Sequence, residues 1–214
     1  MVRLLAIVAA FSTTLAVAAC GCSKDSKQAP APSSAPLVGA ASPKEALLNI
    51  ATAFETGDKR LFLASVYVTD PEWAGAAFDA SIVAAGLREL LETAYGQQEA
   101  SSLDAFMVSF PSRDEVEAKV TIVENGDLAG AGMLGSLDIQ LVRKDGRWLV
   151  ELADQQPKPD ERDESLDMLR RFVQVAPGFR DKIGREGYTA LKIEEDLMSA
   201  MLPATTVESG TQPK

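Results

Sequence analysis

Histidine is absent from this chain, and cysteine occurs only twice in its 214 residues. Without an imidazole there is no Ser/His/Asp or Cys/His catalytic arrangement, no histidine-ligated zinc or haem, and no side chain that ordinarily titrates near neutrality. Basic residues are in deficit as well, with 21 Lys and Arg against 31 Asp and Glu and a net charge of -10. An acidic chain of this kind argues against nucleic acid as a partner.

The motifs of nucleotide-binding sites and of the hydrolase nucleophile elbow are missing too. Gly130, Gly132 and Gly135 lie close together, but no lysine and no helix start follows them. Two acidic clusters are candidates for hard cations, yet they lack the glycine-turned spacing of a calcium loop, so we interpret them as solvated helix faces. They consist of Asp160, Glu161, Asp163 and Glu164, and of Glu194, Glu195 and Asp196. The sequence therefore predicts no catalytic residue, no metal ligand and no cofactor.

The amino terminus has the layout of a secretory signal. Arg3 is followed by an apolar run over residues 4–19, broken only by Ser12, Thr13 and Thr14. The run is shorter than the roughly 20 apolar residues of a membrane span, and small residues close it, as at a cleavage site. A buried helix is the alternative, but the polar stretch that follows offers nothing for it to pack against. We therefore predict a signal peptide over residues 1–19.

Val17, Ala18, Ala19 and Cys20 resemble the lipobox of bacterial lipoproteins. The resemblance implies that Cys20 carries a diacylglycerol on its sulfur, that cleavage precedes it, and that the new amine is acylated. Two or more acyl chains are what stable anchoring requires. A disulfide or a metal site formed with Cys22 is the alternative; it would need a strained ring or ligands that the chain lacks, so Cys22 is expected to be free.

The segment after the cysteine is predicted to be a tether over residues 20–41, rich in Pro, Ala and Ser. Pro-rich stretches stay extended, so it should hold the domain some tens of ångströms from the lipid, in the periplasm or outside the cell. Gly21 stands where enteric inner-membrane lipoproteins have Asp, which favours the outer membrane. Removal of residues 1–19 takes away Arg3 and leaves a net charge of -11. That charge disfavours a second, electrostatic hold on anionic lipids.

Three helices are predicted next. Ser42, Pro43 and Glu45 form a capped helix start, and Gly57 suits the end of that helix. Asp58 suits the cap of a second, short helix. Its apolar residues are Leu61, Phe62 and Val66. Asp70 and Pro71 begin a third helical region, whose clearer part covers residues 79–95 and ends at Gly96.

Beyond Ser101 the apolar period changes from about 3.6 to 2, which predicts strands over residues 106–110 and 115–122. Asn125 and Gly126 suit a tight turn, although the glycines after them suggest a longer loop.

Asp145 and Gly146 form the strongest hairpin signal in the chain. A two-residue turn there pairs Arg143 with Trp148, Leu141 with Val150, and Ile139 with Leu152 on one face, and Gln140 with Glu151 and Val142 with Leu149 on the other. We expect the first face to be the core, with Arg143 over the Trp148 indole.

Residues 154–160 read as a break, and two more helical stretches follow it. Their apolar residues are Leu166, Leu169 and Val173, and then Leu191, Leu197, Met198 and Met201. A helical extension is therefore predicted over residues 154–203, with a tail over 204–214.

The order of helices and the closing hairpin over residues 141–150 make residues 44–153 similar to the nuclear transport factor two-like superfamily. The resemblance implies an α+β fold, in which N-terminal helices pack on a curved antiparallel sheet and leave a pocket at the wide end. We place this domain at residues 42–153. The extension lies outside the family pattern, and it can cap the pocket, cover the convex sheet face or mediate a homodimer.

The enzymes of that superfamily carry a carboxylate base inside the cone, and no acid stands on the predicted inner face here. Its members are Phe106, Val108, Phe110, Val116, Ala118, Val120, Ile122, Leu137, Ile139, Leu141, Trp148, Val150 and Leu152. Tyr67, Tyr95, Asp104 and Trp148 are the candidate pocket residues. The alternative is that both tyrosines lie at the core edge and that Asp104 is a solvated turn residue.

These features predict an envelope lipoprotein, anchored in the bilayer through Cys20, whose non-catalytic domain binds a small apolar ligand or an envelope protein. An isomerase or hydrolyase of the ketosteroid isomerase type, with its acid supplied from a helix, is one alternative. A structural or inhibitory module that contacts its partner through Leu191, Leu197 and Met201 is another.

Overall fold

The computed structural model describes residues 40–96, 103, 106–108, 110–133 and 139–201. Within these residues the fold is α+β, with six α-helices and one five-stranded mixed sheet. The helices are α1 (Pro43–Thr56), α2 (Lys59–Ser65), α3 (Pro71–Tyr95), α4 (Arg113–Ala118), α5 (Arg162–Val175) and α6 (Ala190–Met201). The strands are β1 (Val66–Tyr67), β2 (Val120–Asn125), β3 (Leu128–Met133), β4 (Ile139–Lys144) and β5 (Arg147–Glu151). Short 3₁₀ segments cover Ala153–Gln155 and Ala176–Lys182.

The three predicted helix starts are confirmed. Ser42 accepts a hydrogen bond from the Glu45 backbone amide at 3.2 Å, and Gly57 ends α1 at a φ of 68°. Asp58 caps α2 through the amides of residues 60 and 61, and Asp70 caps α3 through those of residues 72 and 73. Each side chain satisfies amides that the first turn of a helix leaves without partners.

The long helix α3 runs unbroken through 25 residues and separates two hydrophobic cores. One core joins α1, α2 and part of α3 to the inner sheet face, and the other joins α3 to α5 and α6. Small side chains let neighbours approach α3 closely. The buried alanines are Ala74, Ala76, Ala77, Ala80 and Ala84.

The strand order is β1-β5-β4-β3-β2. The predicted hairpin register is confirmed for Arg143 with Trp148, Leu141 with Val150 and Val142 with Leu149. Asp145 and Gly146 form the turn at φ values of 49° and 76°, as a tight two-residue hairpin requires. The β4–β5 ladder ends at the Leu141–Val150 pair, so it does not include the expected pairs of Ile139 with Leu152 and Gln140 with Glu151.

Two predictions around the sheet were wrong. The second helix ends at Ser65, and Val66 belongs instead to β1, which pairs in parallel with β5. The glycine-rich stretch after Gly126 is not a loop, because residues 128–133 form β3 and pair with both β2 and β4. The strand is stabilised by backbone hydrogen bonds to β2 and β4. Its glycines give no side-chain pattern from which those partners could be predicted.

The predicted strands at 106–110 and 115–122 were also wrong in their details. The described residues at 106–108 and 110 belong to no strand, and Val116 and Ala118 lie in α4. Ser112 and Glu115 form a reciprocal capping box at the start of α4. That box stabilises a helical turn in a segment whose apolar residues happen to alternate. The strand begins only at Val120.

The C-terminal extension packs against α3. Leu166, Leu169 and Phe172 of α5 and Ile193 and Leu197 of α6 are buried in the second core. Phe172 stacks on Phe106 with ring centroids 4.2 Å apart. The extension thus continues the helical layer on the side of α3 away from the sheet core.

Candidate functional site

The predicted pocket residues lie in three separate places. Trp148 is only 3% exposed, packs in the sheet core, and donates its backbone amide to the carbonyl of Ala40 at 3.0 Å. Tyr67 lies on β1, the terminal strand of the sheet, with Lys144 Nζ 5.0 Å from its ring centroid. Asp104 lies outside the described residues.

Tyr95 has a structural role at the end of α3. Its hydroxyl donates to the Tyr188 carbonyl at 3.1 Å and accepts from the Gly184 amide at 2.8 Å. The tyrosine therefore joins α3 to the loop before α6, far along the helix from Tyr67, which precedes its start.

The expected stacking of Arg143 on Trp148 is not found. In the described part of the chain the cation–π contacts are those of Lys144 with Tyr67 and of Lys182 with Phe179 and Tyr188. Arg143 is exposed at its register position, while the indole opposite is turned into the core.

Aromatic rings fill the space between the helices and the inner sheet face. Phe54 has its ring centroid 5.6 Å from that of Phe62, 5.0 Å from Phe78 and 5.8 Å from Phe110. Phe62 and Phe78 stack at 4.8 Å. Buried aromatic clusters of this geometry contribute strongly to a core. These rings belong to the core that joins the helices to the sheet.

Two open clefts flank the start of α3. One, of about 270 Å³, includes Lys59, Glu72, Asp79 and Arg170 in its lining. The other, of about 380 Å³, is lined by Thr69, Asp70, Gln156, Pro157, Pro159 and Arg162. Both are rich in charged or polar groups, and neither was predicted from the sequence.

An ion-pair network centred on Arg162 joins the two clefts. Its guanidinium contacts Asp70 Oδ2 at 2.5 Å, Glu72 Oε2 at 2.7 Å and Asp163 Oδ1 at 2.9 Å. Arg170 completes the network with Glu72 Oε1 at 2.5 Å. The two guanidinium groups balance two of the three carboxylates, and the pairs join α3 to α5.

The network also sets the protonation of its carboxylates. Hydrogen bonding to Arg162 is the main cause that lowers the pKa of Asp70 below its ordinary 3.8. Arg162 and then Arg170 lower the pKa of Glu72 below its ordinary 4.5. The same pairs raise the pKa of Arg162. Both carboxylates are held ionised at neutral pH, which is the wrong state for a general acid.

Gln156 is the one described side chain with a buried polar atom that has no hydrogen-bond partner. The Thr69 hydroxyl donates to its Oε1 in a short contact, and Nε2 remains without an acceptor. Asn and Gln amides are assigned from their hydrogen bonds, so the reversed amide, with Nε2 donating to Thr69, accounts equally well for the contact.

The outer face of the sheet carries an apolar band that crosses the strands. Leu128 pairs with Val142, and Val142 with Leu149, so the three side chains share a face. Val123, opposite Gly130, adds a side chain from β2 to the same face. Leu128 is 59% exposed and Val123 is 69% exposed. We name these four residues, Val123, Leu128, Val142 and Leu149, the outer band.

In the part of the chain that the structure describes, one residue of each acidic cluster forms an ion pair. Asp163 pairs with Arg162, and Asp196 approaches Lys182 at 3.9 Å and Lys192 at 3.7 Å. Among the described residues no group of His, Cys, Asp or Glu has the arrangement of a metal site. None of the described helices combines the length and apolar character that crossing a bilayer requires.

The predicted signal peptide over 1–19, the lipobox and Cys20 lie outside the described residues. Comparison of the chain with protein-family models, with curated proteins and with solved structures gave no match.

Proposed function

We propose that this protein is a lipid-anchored component of a bacterial envelope, whose α+β domain binds a protein partner without catalysis. The observation that carries the proposal is the sequence Val17, Ala18, Ala19, Cys20 at the end of an apolar run. Nineteen residues lie between Cys20 and Ala40, at the start of the described domain. The proposed location is the outer membrane, with the domain in the periplasm or outside the cell.

We further propose that the domain has the nuclear transport factor two-like fold. The first support is the order of the first four elements, which is helix, helix, strand, helix. The second is the strand order, in which the short β1 lies parallel beside the last strand, β5. The remaining strands follow as an antiparallel meander from β2 to β5.

Two features favour a protein partner over a small apolar ligand. The rings of Phe54, Phe62, Phe78 and Phe110 pack against one another in the core that joins the helices to the sheet, which leaves less space there for a small ligand. In the outer band Val123 and Leu128 are exposed to solvent, next to the half-buried Leu149 and the buried Val142. Exposed apolar groups that share one sheet face are typical of interaction surfaces. The extension is a less favoured contact surface, because Leu197 and Met201 are buried, although Leu191 is 60% exposed.

The anchor is tested with two matched cysteine variants. Cells that express the protein are labelled with a palmitate analogue, and the protein is recovered from the membrane and soluble fractions. Cys20→Ala should abolish labelling and release the protein from the membrane, whereas Cys22→Ala should leave both unchanged. Equal labelling of the Cys20→Ala protein and the parent would refute the anchor.

The partner surface is tested by site-specific photocrosslinking in cells. A photoreactive phenylalanine at Leu128 on the outer band should give a discrete adduct, while the same group at Met198, which is 49% exposed on α6, serves as the control. Val123→Lys should weaken the Leu128 adduct without changing the amount of anchored protein. Adducts from Met198 alone would indicate that the contact surface lies on the extension and not on the outer band.

A further inference from the structure

The turn between β4 and β5 gathers positive charge in a chain that is acidic as a whole. Arg143, Lys144 and Arg147 occupy three of five successive positions around Asp145 and Gly146, and all of them are exposed. None of these three forms an ion pair with another described residue. Lys144 rests over the Tyr67 ring, which leaves its charge accessible. We name Arg143, Lys144 and Arg147 the basic tip.

The same tip lies where the chain from Cys20 enters the domain. Ala40 forms an isolated antiparallel bridge with Trp148, whose amide donates to its carbonyl. Trp148 directly follows Arg147 and pairs with Arg143 across the hairpin. Ala40, where the N-terminal segment enters, is therefore adjacent in space to the residues that flank Trp148 in the hairpin.

Acidic groups around the tip reduce its charge without cancelling it. Asp145 lies in the turn, and Asp127 lies nearby because its carbonyl accepts from the Arg143 amide at 2.7 Å. Glu45 of the adjacent α1 start accepts from the Ala41 amide at 2.7 Å, and Lys44 adds a further cation there. At this end of the domain Lys44 and the three residues of the basic tip stand against three carboxylates, so the cations are in excess by one.

We propose that the basic tip contacts the phosphate groups of anionic phospholipids in the bilayer that carries the anchor, and so orients the domain. The inference rests on the proposed lipid anchor at Cys20. Nineteen residues reach at most roughly 70 Å, which confines the tip close to the membrane and raises its effective concentration there. Each basic residue at an anionic surface favours the bound state about fivefold, so three are enough to bias the orientation of a protein already held nearby.

From the net charge we expected no second, electrostatic hold on anionic lipids. The structure places basic residues together at one site, and the effect of distant charges on that site is reduced by screening. Charges more than about 10 Å apart are screened from one another at 0.1 M salt. The charged groups nearest the tip therefore weigh more on its field than the net charge of the whole chain.

The test measures how fast a water-soluble acylating reagent modifies lysines, read by mass spectrometry of the intact lipidated protein in vesicles. Lys144 reports the tip, and the exposed Lys158 is the internal control. We expect Lys144 to be protected at least threefold in vesicles containing 30% phosphatidylglycerol, and not in pure phosphatidylcholine. The protection should disappear in 0.5 M NaCl, and Lys158 should react equally in all cases. Inorganic phosphate added to the detergent-solubilised protein should protect neither lysine, which separates lipid phosphate from free phosphate.

A pair of charge-matched variants decides the interpretation. Arg143→Gln with Arg147→Gln should abolish the protection of Lys144, while Arg60→Gln with Arg185→Gln removes the same charge from exposed sites elsewhere and should preserve it. If the protein is lipidated but Lys144 is not protected, or if both double variants lose the protection equally, this inference alone is overturned. Absence of lipid on Cys20 in the same preparation overturns the proposed anchor and this inference together.

Discussion

Arg162, the first residue of α5, donates to Asp70 at 2.5 Å while the same aspartate caps α3. One carboxylate thus satisfies the first turn of the longest described helix and binds the helix that follows the sheet. The Asp70 side chain is 19% exposed, whereas the Asp163 side chain is 92% exposed. The pair of Arg162 with Asp70 is therefore more shielded from solvent than the pair of Arg162 with Asp163.

Removing the Asp70 carboxylate should therefore destabilise the fold more than removing that of Asp163. We expect Asp70→Ala to lower the free energy of unfolding by about 1 to 2 kcal/mol, because a helix cap and an ion pair are both lost. Asp163→Ala removes only an exposed ion pair and should change the free energy of unfolding by less than about 0.5 kcal/mol. Urea denaturation at pH 7 measures both, and equal effects would contradict the structural role of Asp70.

The same network predicts a pH dependence of stability with a definite sign. Asp70 and Glu72 have pKa values lowered in the folded state, from ordinary values of 3.8 and 4.5. Between the folded and unfolded pKa values the unfolded chain binds more protons, so folding weakens as the pH falls. The stabilisation is fully present above the ordinary values and is lost as the pH drops through the lowered ones.

The variant that isolates this effect is Arg162→Gln. Without the guanidinium both carboxylates should titrate closer to their ordinary values, so the urea midpoint should fall less steeply between pH 5 and pH 3 than in the parent. Lys192→Gln, which removes an exposed partner of Asp196, is the control and should keep the parent slope. Identical slopes for the parent and Arg162→Gln would show that the network does not cause the loss of stability at low pH.

The tyrosine at the end of α3 allows a comparison with the tyrosine on β1. Tyr95→Phe removes a hydroxyl that both donates and accepts, and it should cost about 1 to 2 kcal/mol of unfolding free energy. Tyr67→Phe keeps the ring under Lys144, and within the described residues the Tyr67 hydroxyl has no hydrogen bond, so we expect a change near zero. Amide exchange at Gly184 should accelerate only in Tyr95→Phe. Unchanged exchange there would refute the bond to Gly184.

Features that depend on neighbours in sequence were predictable. Ser42, Asp58 and Asp70 cap helices because their side-chain oxygens reach amides two or three residues away, and Asp145 with Gly146 fixes the hairpin register through its own backbone angles. The α+β class followed from these local signals. The capping box of Ser112 and Glu115 was equally local, and the pattern Ser-x-x-Glu marks it in the sequence.

Features that depend on distant partners were not predictable. Val66 joins the sheet because Val150 offers it a parallel partner 84 positions later, and Arg162 finds Asp70 across 92 positions. Local preference carries no information about such pairings. The aromatic cluster between the helices and the sheet was missed for the same reason, since its rings come from α1, α2, α3 and Phe110.

A buried hydroxyl contacts the segment that was wrongly predicted as a strand at 106–110, and it gives the last prediction. Ser81 of α3 is 2% exposed; it donates to the Ala77 carbonyl at 2.8 Å and accepts from the Val108 amide at 2.8 Å. Ser81→Ala leaves that amide without its partner and should cost about 1 to 3 kcal/mol. Thr93→Ala is the matched control on the same helix, because its exposed hydroxyl bonds only to the Glu89 carbonyl of its own turn. It should change stability by less than about 0.5 kcal/mol. Faster exchange of the Val108 amide in Ser81→Ala alone would locate the loss at this contact, whereas equal effects of the two substitutions would show that the segment is held by its apolar packing.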